Sequence, residues 1–529
     1  MTRVDQPAAR DVLDVAGSRA SRPGRRYPVG VLTVGVVVAL VMLIPLAFIV
    51  GYTIEIGWAQ GSALVFRPRV GELLWNTVRL MVGAMLACGV LGTAAAWLVE
   101  RTSLPGRRVF SVLLVAPLAI PAFVNSYAWV SLVPSASGYG SALLIVTLSY
   151  FPFVYLPVAA TLRGLDPALD ETAHSLGHGA LRTFLRSTLP QLRPALLGGC
   201  LLVGLHLLAE FGALQMLRFP TFTTAIYDQY RSTFSGPAAN MLAGVLVLCC
   251  LVLLVGELRL RGRARYARTG GGAARPAVRV RLGVLSAPAV LLLAALVALA
   301  LGVPLVSLGY WLATGSSAGI DVDLLLRTTG TSIGLGLLGA LVTTVAAIPL
   351  AWLSIRHRGR LSTMLERATY TGSALPGIVV ALALVTVAIR LTPELYQTTG
   401  LLVVGYGILF MPRAMVSIRA SLAQTPPVLE DVAAALGSGR LATLRRVTLP
   451  LVAPGLGAGA ALVFLAVVTE LTATLLLAPT GTQTLATEFW SQSSSIAYGA
   501  AAPYAAVMVL ISAPATYLLT RQLRREPLG

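Results

Sequence analysis

Leu169-Asp170-Glu171-Thr172-Ala173 recurs 260 residues later in the chain as Leu429-Glu430-Asp431-Val432-Ala433. Both stretches open on leucine, carry two adjacent acidic residues and end on alanine. The same offset relates further identical residues, namely Gly177 and Gly437, Leu189-Pro190 and Leu449-Pro450, and Glu210 and Glu470. A constant offset over this distance predicts two tandem copies of one structural unit.

The sequence around these stretches is apolar in blocks. Hydrophobic residues make up 56% of the 529 residues and charged residues only 12%, whereas a soluble protein carries about 25% charged residues. The apolar blocks are about 20 residues long, which is enough for a helix to cross a bilayer. We therefore predict an all-α polytopic membrane protein with about 12 transmembrane helices.

Each half contains six of the predicted spans. In the first half they are 30–52, 77–99, 109–134, 140–162, 194–217 and 236–257. In the second half they are 286–312, 331–354, 369–392, 399–418, 454–477 and 498–520. The first block is longer than the core of a signal peptide and has no convincing small-residue cleavage site, so we interpret it as a retained helix.

The predicted organisation has four parts. A cytoplasmic tail at 1–29 precedes a first unit at 30–257, and a basic cytoplasmic linker at 258–284 precedes a second unit at 285–529. Because six spans separate equivalent positions, both units have the same orientation in the membrane. Such a parallel repeat predicts a pseudo-two-fold axis along the membrane normal.

The distribution of arginine predicts the orientation. The formal net charge is +19, and all 40 basic residues are arginines. With the N-terminus in the cytoplasm, only seven lie on the outer side: Arg67, Arg69, Arg79, Arg218, Arg231, Arg327 and Arg390. Since cytoplasmic loops collect positive charge beside anionic lipid, we predict a bacterial inner-membrane protein with both termini cytoplasmic. This clustering between apolar blocks argues against nucleic acid as a partner.

Lysine is absent from the chain. A phosphate-binding P-loop requires a lysine after its last glycine, so this chain cannot contain an ordinary Walker A site. The sequence also has no HExxH motif, no nucleophile elbow and no paired carboxylates within a span. We therefore expect a chain that is not an enzyme and binds no cofactor itself, with ATP and Mg²⁺ bound by a partner subunit.

The repeated stretch opens the longest predicted cytoplasmic loop of each half, at about 164–193 and about 420–453. Acidic residues at its start suit the positive end of a short helix. The glycine that follows, Gly177 or Gly437, allows the backbone to turn or a partner to approach closely. Leucine-proline then marks the start of the next span in both halves.

These loops resemble the signature loop of permeases from binding-protein-dependent ABC importers, in which Glu-Ala-Ala is followed by Gly and then by Ile-x-Leu-Pro. The matching residues here are Glu171, Ala173, Gly177, Leu189 and Pro190, and Asp431, Ala433, Gly437, Leu449 and Pro450. The departures are Thr172 and Val432 for the middle alanine, Asp431 for glutamate, and Ser187 and Val447 for isoleucine.

The resemblance implies two tandem type I ABC importer permease domains. In that family the loop forms a coupling helix that sits in a groove on the ATPase. The implied partners are a cassette ATPase dimer on the cytoplasmic side and an extracytoplasmic substrate-binding protein. An ion-coupled secondary transporter would also suit two parallel halves of six spans, but it would not need coupling loops, and the spans offer few acids for a proton relay.

A narrower resemblance concerns the substrate. Two pairs of segments are similar to ferric-iron permeases: Glu470-Leu-Thr-Ala-Thr-Leu-Leu-Leu-Ala-Pro479 with Thr484-Leu-Ala-Thr-Glu488, and Ala209-Glu-Phe-Gly-Ala213 with Thr224-Ala-Ile-Tyr227. They imply import of ferric iron. Thiamine, phosphonate and polyamine are alternative substrates for the same class of permease.

Glu210 and Glu470 are the clear acids within predicted spans, each 16 residues after its span begins and nearer the outer face. A carboxylate in a membrane is costly unless it is paired or solvated. The two could form a transient oxygen site for a cation on the pseudo-two-fold axis, or each could be a structural carboxylate. His206 lies four residues before Glu210 and is predicted to share its helix face, most simply as a hydrogen-bonded pair. Whether any residue binds a metal stays open.

Overall fold

The computed structural model describes residues 28–165, 168–231, 236–261, 279–315, 319–357 and 359–525. Within these ranges the regular structure is helical, apart from a parallel bridge between Thr102 and Val280. This bridge attaches the end of the predicted linker to the first half. Most of the predicted tail at 1–29 and linker at 258–284 lies outside the described residues.

The two halves contain the same series of ten principal helices within the described residues. In the first half these are α1 (Val29–Val65), α2 (Pro68–Arg101), α3 (Arg107–Leu113), α4 (Ala122–Leu132), α5 (Gly138–Gly164), α6 (Ala168–Ser175), α7 (Phe184–Ala209), α8 (Gly212–Met216), α9 (Phe222–Arg231) and α10 (Gly236–Arg261). In the second half they are α11 (Gly283–Thr314), α12 (Val322–Arg356), α13 (Arg360–Ala374), α14 (Gly377–Leu391), α15 (Thr399–Gln424), α16 (Pro427–Ala435), α17 (Leu444–Val468), α18 (Thr472–Leu477), α19 (Leu485–Ser494) and α20 (Tyr498–Arg525). Each helix of the second half thus corresponds to the helix ten places earlier.

Nine of these helices are long and apolar enough to cross a membrane, as counted over the described part of the chain: α1, α2, α5, α7, α10, α11, α12, α15 and α17. Two bent pairs of helices raise the number of candidate spans to eleven. A shorter apolar helix, Tyr498–Pro514 within α20, lies where the twelfth span is predicted. The all-helical membrane architecture is therefore confirmed.

The predicted spans at 109–134 and 369–392 are each interrupted by a sharp bend. The first is a pair of helical segments that meet at 91°, and the second is a pair that meets at 103°. Both bends occur at a proline, Pro121 or Pro376, whose ring disfavours helical geometry in the residue before it. Ile120 and Leu375 are accordingly extended, and α4 and α14 begin directly after the prolines.

Glycines set the close packing of the helices that carry the coupling loops. A Cβ atom on Gly199 of α7 would lie 2.8 Å from the Cα of Val154 in α5. In the second half, a Cβ on Gly459 of α17 would lie 3.3 Å from the Cα of Ala414 in α15. Small residues of this kind let membrane helices approach backbone to backbone. The α5–α7 and α15–α17 pairs are therefore equivalent, close contacts.

The halves are interleaved in space, because the first helix of each packs on the other half. Helix α1 packs against α12, α13 and α14, and Arg390 of α14 forms an ion pair with Glu55 of α1 at 2.7 Å. Helix α11 packs against α4, where the hydroxyls of Ser131 and Ser307 lie 2.9 Å apart. Each half thus helps to hold the other in place.

Candidate functional site

Helices α6 and α16 form the loops that the sequence repeat marks. Each is followed by a glycine with left-handed backbone, at φ +80° for Gly177 and φ +81° for Gly437. The His178 N–H donates to the Ala173 carbonyl at 3.0 Å, and the Ser438 N–H donates to the Ala433 carbonyl at 2.9 Å. Such bonds are typical of a Schellman cap, in which glycine avoids the strain of a left-handed residue.

The other predicted coupling residues range from buried to exposed. The structure describes Ala433 as buried, Ala173, Leu189, Pro190 and Asp431 as half-buried, and Leu449 and Pro450 as exposed. The side chain of Glu171 lies outside the described residues. The alanines thus face the protein, while the glycine turns lie at the surface.

An exposed apolar face of α16 is a feature that sequence reasoning did not single out. Val428, Val432 and Leu436 are 58%, 51% and 81% exposed, and they are spaced four residues apart, which puts them on one side of a helix. Leu176, the equivalent of Leu436, is 72% exposed. Because these side chains lie on loops between spans, they form a surface that suits a protein partner.

A buried ion pair fixes α16 to the end of α12. The guanidinium of Arg356 donates to Glu430 at 2.9 Å and to the Thr425 carbonyl at 3.1 Å. The side chains of Arg356 and Glu430 are 5% and 14% exposed. Breaking such a pair leaves an uncompensated buried charge, so the pair strongly restrains the second coupling loop.

Glu210 and Glu470 do not lie inside continuous helices at 194–217 and 454–477, where the spans were predicted. Helix α7 ends at Ala209 and α17 ends at Val468, and each acid begins a break before the next short helix. Relative to the predicted spans, both helices are shifted toward the N-terminus, so that they begin and end earlier. Their π-helical first turns, Phe184–Thr188 and Leu444–Thr448, continue directly through the leucine-proline pairs.

Both carboxylates cap the short helix that follows the break. Glu210 Oε1 accepts a hydrogen bond from the Ala213 N–H at 2.9 Å, and Glu470 Oε1 accepts one from the Ala473 N–H at 2.9 Å. The two breaks are also neighbours, because a Cβ on Gly212 would lie 2.9 Å from the Leu471 side chain. Non-helical backbone at membrane depth is tolerated where protein or a water-filled cavity supplies hydrogen-bond partners for its N–H and C=O groups.

The Glu210 break lies deeper in the bundle than predicted. The Tyr150 hydroxyl donates to Glu210 Oε2 at 2.5 Å, and Tyr150 lies close to the midpoint of α5. The carboxylate is therefore near the middle of the bundle and not near its outer face. The phenol gives this carboxylate a partner in an apolar setting, where an unpaired carboxylate is costly.

The predicted hydrogen-bonded pair of His206 with Glu210 is also wrong. Glu210 leaves the helical conformation, with φ −76° and ψ 120°, so the two residues do not share a helix face. His206 instead places Nδ1 2.9 Å from the Leu202 carbonyl, and its ring stacks on Phe153 with centroids 4.3 Å apart. In this structure His206 belongs to an aromatic cluster.

Arg413 is a charged residue that sequence reasoning missed, because it was counted with the arginines of the predicted cytoplasmic side. It lies near the middle of α15, one residue after Pro412. Its guanidinium lies over the Phe410 ring at 5.1 Å and interacts electrostatically with Glu470 and His206. A charge at this depth costs about 3 kcal/mol on insertion scales, which makes Arg413 a candidate functional residue.

The described residues at these breaks do not provide enough ligands for the protein alone to hold a metal ion. The described residues contain no group of three or more His, Cys, Asp or Glu side chains that could hold a metal ion. A cation at the breaks would therefore meet two carboxylates, Glu210 and Glu470, which interact electrostatically with each other. Two oxygen-bearing groups suit passage of a hard cation better than its storage.

The sequence matches the family described as binding-protein-dependent transport system inner membrane component twice, at residues 89–263 and 343–526. The chain belongs to this family. Each match covers one half and includes one coupling loop and one helix break. The protein is therefore a fused importer permease with two tandem domains, and the repeat seen in the sequence is the repeat of this domain.

Individual relatives agree with a fused permease. The chain is 38% identical over 501 residues to the Fe(3+)-transport system permease protein FbpB 2 of Haemophilus influenzae, which covers 94% of this chain and 99% of the relative. It is 30% identical over 266 residues to the sulfate transport system permease protein CysT of Salmonella typhimurium, which covers 46% of this chain and 95% of the relative. The sulfate permease thus corresponds to one half of this chain.

Proposed function

We propose that this permease imports ferric iron, received from an extracytoplasmic binding protein and moved by an ATP-driven change between outward-open and inward-open states. The similarity to the Fe(3+)-transport permease carries this proposal, because it extends over 94% of the chain. The paired carboxylates Glu210 and Glu470 support it, since a hard cation prefers oxygen ligands. The two breaks meet between the halves, where a path along a pseudo-two-fold axis would run.

In this proposal, α6 and α16 transmit the ATP-driven conformational change from the ATPase to the permease. Each coupling helix docks in a groove on one subunit of a cassette ATPase dimer, and the ATPase binds ATP and Mg²⁺. The exposed Leu176 and Leu436 provide apolar contacts for this docking. The absence of lysine from the chain fits a division of labour in which the partner alone hydrolyses ATP.

The proposed orientation has both termini and both coupling loops in the cytoplasm of a bacterium, with the binding protein at the opposite side of the inner membrane. The excess of arginine on the side of the coupling loops supports this orientation. Helices α9 and α19 then lie on the outer part of the bundle. They follow the short helices α8 and α18 and connect the breaks to the outer surface.

Sulfate is a second candidate substrate, because sulfate permeases are among the relatives and Arg413 offers a guanidinium at mid-depth. The two substrates can be separated by uptake into proteoliposomes that contain the permease, its ATPase and its binding protein. We expect ATP-dependent uptake of ⁵⁵Fe(III) citrate and no uptake of ³⁵S-sulfate. Sulfate uptake without iron uptake would replace the proposed substrate, and uptake of either without ATP would contradict the ATP-driven mechanism.

A further inference from the structure

Arg413 lies in an accessible position inside the bundle. The residue is exposed although it is near the middle of α15. Its electrostatic partners, Glu470 and His206, belong to the inner helices α7 and α17 and their breaks. The packing also places Arg413 beside the second break. Its guanidinium lies over Phe410, whose ring stacks on Tyr406. The Tyr406 hydroxyl lies 2.8 Å from Thr474 Oγ1, and the Thr474 hydroxyl donates to the Glu470 carbonyl.

The guanidinium of Arg413 has free donors. Arg413 and Glu470 are not within 4.0 Å of each other, and within the described residues no acceptor forms a hydrogen bond with the Arg413 side chain. The guanidinium carbon lies 5.1 Å from the centre of the Phe410 ring, a cation–π contact that engages no N–H donor in a hydrogen bond. An exposed guanidinium whose donors form no hydrogen bond within the described residues fits an oxyanion, which it can bind through two parallel hydrogen bonds.

The fold does not require an arginine at this position. The repeat offset of 260 residues relates Arg413 to Phe153, and the same packing of α5 on α7 forms with phenylalanine there. Arginine therefore adds a charge to one half for a reason other than the architecture. A substrate that moves along the pseudo-two-fold axis passes between the halves, so one half alone can supply this charge.

We infer that Arg413 binds an oxyanion that accompanies the cargo, while Glu210 and Glu470 face the metal. This inference rests on the proposed import of ferric iron and specifies the form in which the ion passes. A bare ferric ion would be repelled by the Arg413 guanidinium. A ferric ion that keeps an oxyanion ligand, such as citrate or phosphate, carries less positive charge and presents both kinds of surface.

A structural alternative is that Arg413 only neutralises Glu470. The two roles predict opposite results for a double substitution. If Arg413 is a counter-ion, removing both charges with Arg413→Gln and Glu470→Gln should restore uptake relative to Arg413→Gln alone. If Arg413 binds the anion, the second substitution should not restore uptake.

The test measures initial rates of uptake of ⁵⁵Fe(III) citrate and of ³⁵S-sulfate in proteoliposomes with the ATPase and binding protein, per folded transporter. Arg413→Gln removes the charge, Arg413→Lys keeps the charge but loses the planar fork, and Arg413→Phe copies the residue of the first half and so favours folding. Arg390→Gln is the control, because Arg390 forms an exposed ion pair with Glu55 away from the breaks.

We expect Arg413→Gln and Arg413→Phe to reduce iron citrate uptake about tenfold or more, Arg413→Lys to reduce it less, and Arg390→Gln to leave it unchanged. Uptake within about twofold of wild type in Arg413→Phe, or restoration by the added Glu470→Gln, would overturn the inference. If the wild-type protein takes up sulfate and not iron, the ferric-iron proposal fails. In that case the same variants, assayed with sulfate, still decide whether Arg413 binds the oxyanion.

Discussion

The two helix breaks share a backbone plan and differ in their side-chain partners. In the first half, Glu210 accepts a hydrogen bond from Tyr150, and His206 packs beside it on Phe153. In the second half, the equivalent residues are Phe410, Ala466 and Arg413, and Glu470 bonds only to backbone N–H within the described residues. The carboxylate cap is thus a repeated element of the architecture, whereas the groups around it distinguish the two sides of the path.

The coupling loops show a second difference between the halves. Val428 and Val432 of α16 and Leu436 directly after it are exposed apolar side chains, and the helix is held by the Arg356–Glu430 pair. The equivalent positions of α6 are Ala168, Thr172 and Leu176, of which only leucine is large and apolar. The two proposed docking surfaces are therefore unequal, and the second should bind its ATPase subunit more strongly through apolar contact.

The largest effect is expected from removing both carboxylates. Gln at positions 210 and 470 keeps an acceptor for the Ala213 and Ala473 N–H groups but removes the charge. If the acids attract a cation, the double variant Glu210→Gln/Glu470→Gln should lose iron uptake by about 100-fold, more than the product of the single losses. The measurement is uptake of ⁵⁵Fe(III) citrate per folded, ATPase-bound transporter.

The control for this loss of charge is Glu100→Gln. Glu100 is largely buried and forms an ion pair with Arg163 at 3.0 Å, at the end of α2 that is remote from the breaks. We expect this variant to keep most of the uptake. Near-normal uptake in the double variant would instead leave Glu210 and Glu470 as helix caps that need no charge.

The ion pair at α16 offers the next largest effect. Arg356→Gln leaves the buried Glu430 carboxylate without its charged partner, a change that costs about 3–5 kcal/mol in a buried pair. The first half supplies a matched control in Arg163→Gln, because the Arg163 side chain is 35% exposed and its loss is screened by solvent. We expect Arg356→Gln to lower the thermal unfolding temperature and to uncouple ATP hydrolysis from uptake, and Arg163→Gln to do so much less. Equal effects of the two variants would contradict the asymmetry of the loops.

The glycine turns should give a smaller effect that depends on backbone geometry. Valine at position 437 must adopt φ +81°, which is strongly unfavourable for a β-branched residue, although open space surrounds the site. Gly437→Val should therefore distort the cap of α16 at a cost of about 1–2 kcal/mol and reduce ATP-driven uptake while membrane insertion stays normal.

Gly439→Val is the matched control for this turn. Gly439 also has open space around it, and its φ is not left-handed. The same volume is thus added two residues away without the conformational strain. If both variants reduced uptake equally, the added side chain would be blocking a docking partner and the backbone argument would be unnecessary.

The predictions that the structure confirms and those that it does not depend on different physical signals in the sequence. Apolar length and the internal repeat predict membrane helices and tandem halves because both depend on composition over long stretches. The bends at Pro121 and Pro376 were not predicted as such, since a proline within an apolar block is compatible with a kinked span or with two separate helices. Arg413 lies inside the predicted span 399–418 and was missed because it was counted with the arginines of the cytoplasmic side.

Contacts between residues far apart in the chain are the other part that sequence could not predict. The bond from Tyr150 to Glu210 joins residues 60 apart, and the approach of Gly212 to Leu471 joins the two copies. Neither pair has a local spacing that marks it, so only the packed structure brings them together. The coupling glycines were predictable because a turn is a local requirement, and the chain repeats it at Gly177 and Gly437.

The smallest effect is expected from Tyr150→Phe, which makes the first break resemble the second. Phenylalanine already occupies the equivalent position, Phe410, so the ring fits and only the hydroxyl is lost. A hydrogen bond to a charged group contributes about 1.5–3 kcal/mol, but Glu210 keeps its bond from the Ala213 N–H and is only half-buried. We therefore expect uptake of ⁵⁵Fe(III) citrate to fall by about tenfold at most.

Phe410→Tyr is the converse variant and adds a hydroxyl near Glu470. If the hydroxyl positions the carboxylate for the cargo, Tyr150→Phe should change the substrate concentration at half-maximal uptake more than the maximal rate, and Phe410→Tyr should partly compensate. A loss of folded protein with unchanged uptake per folded molecule would instead assign Tyr150 a purely structural role, and the two halves would then be equivalent at the breaks except for Arg413.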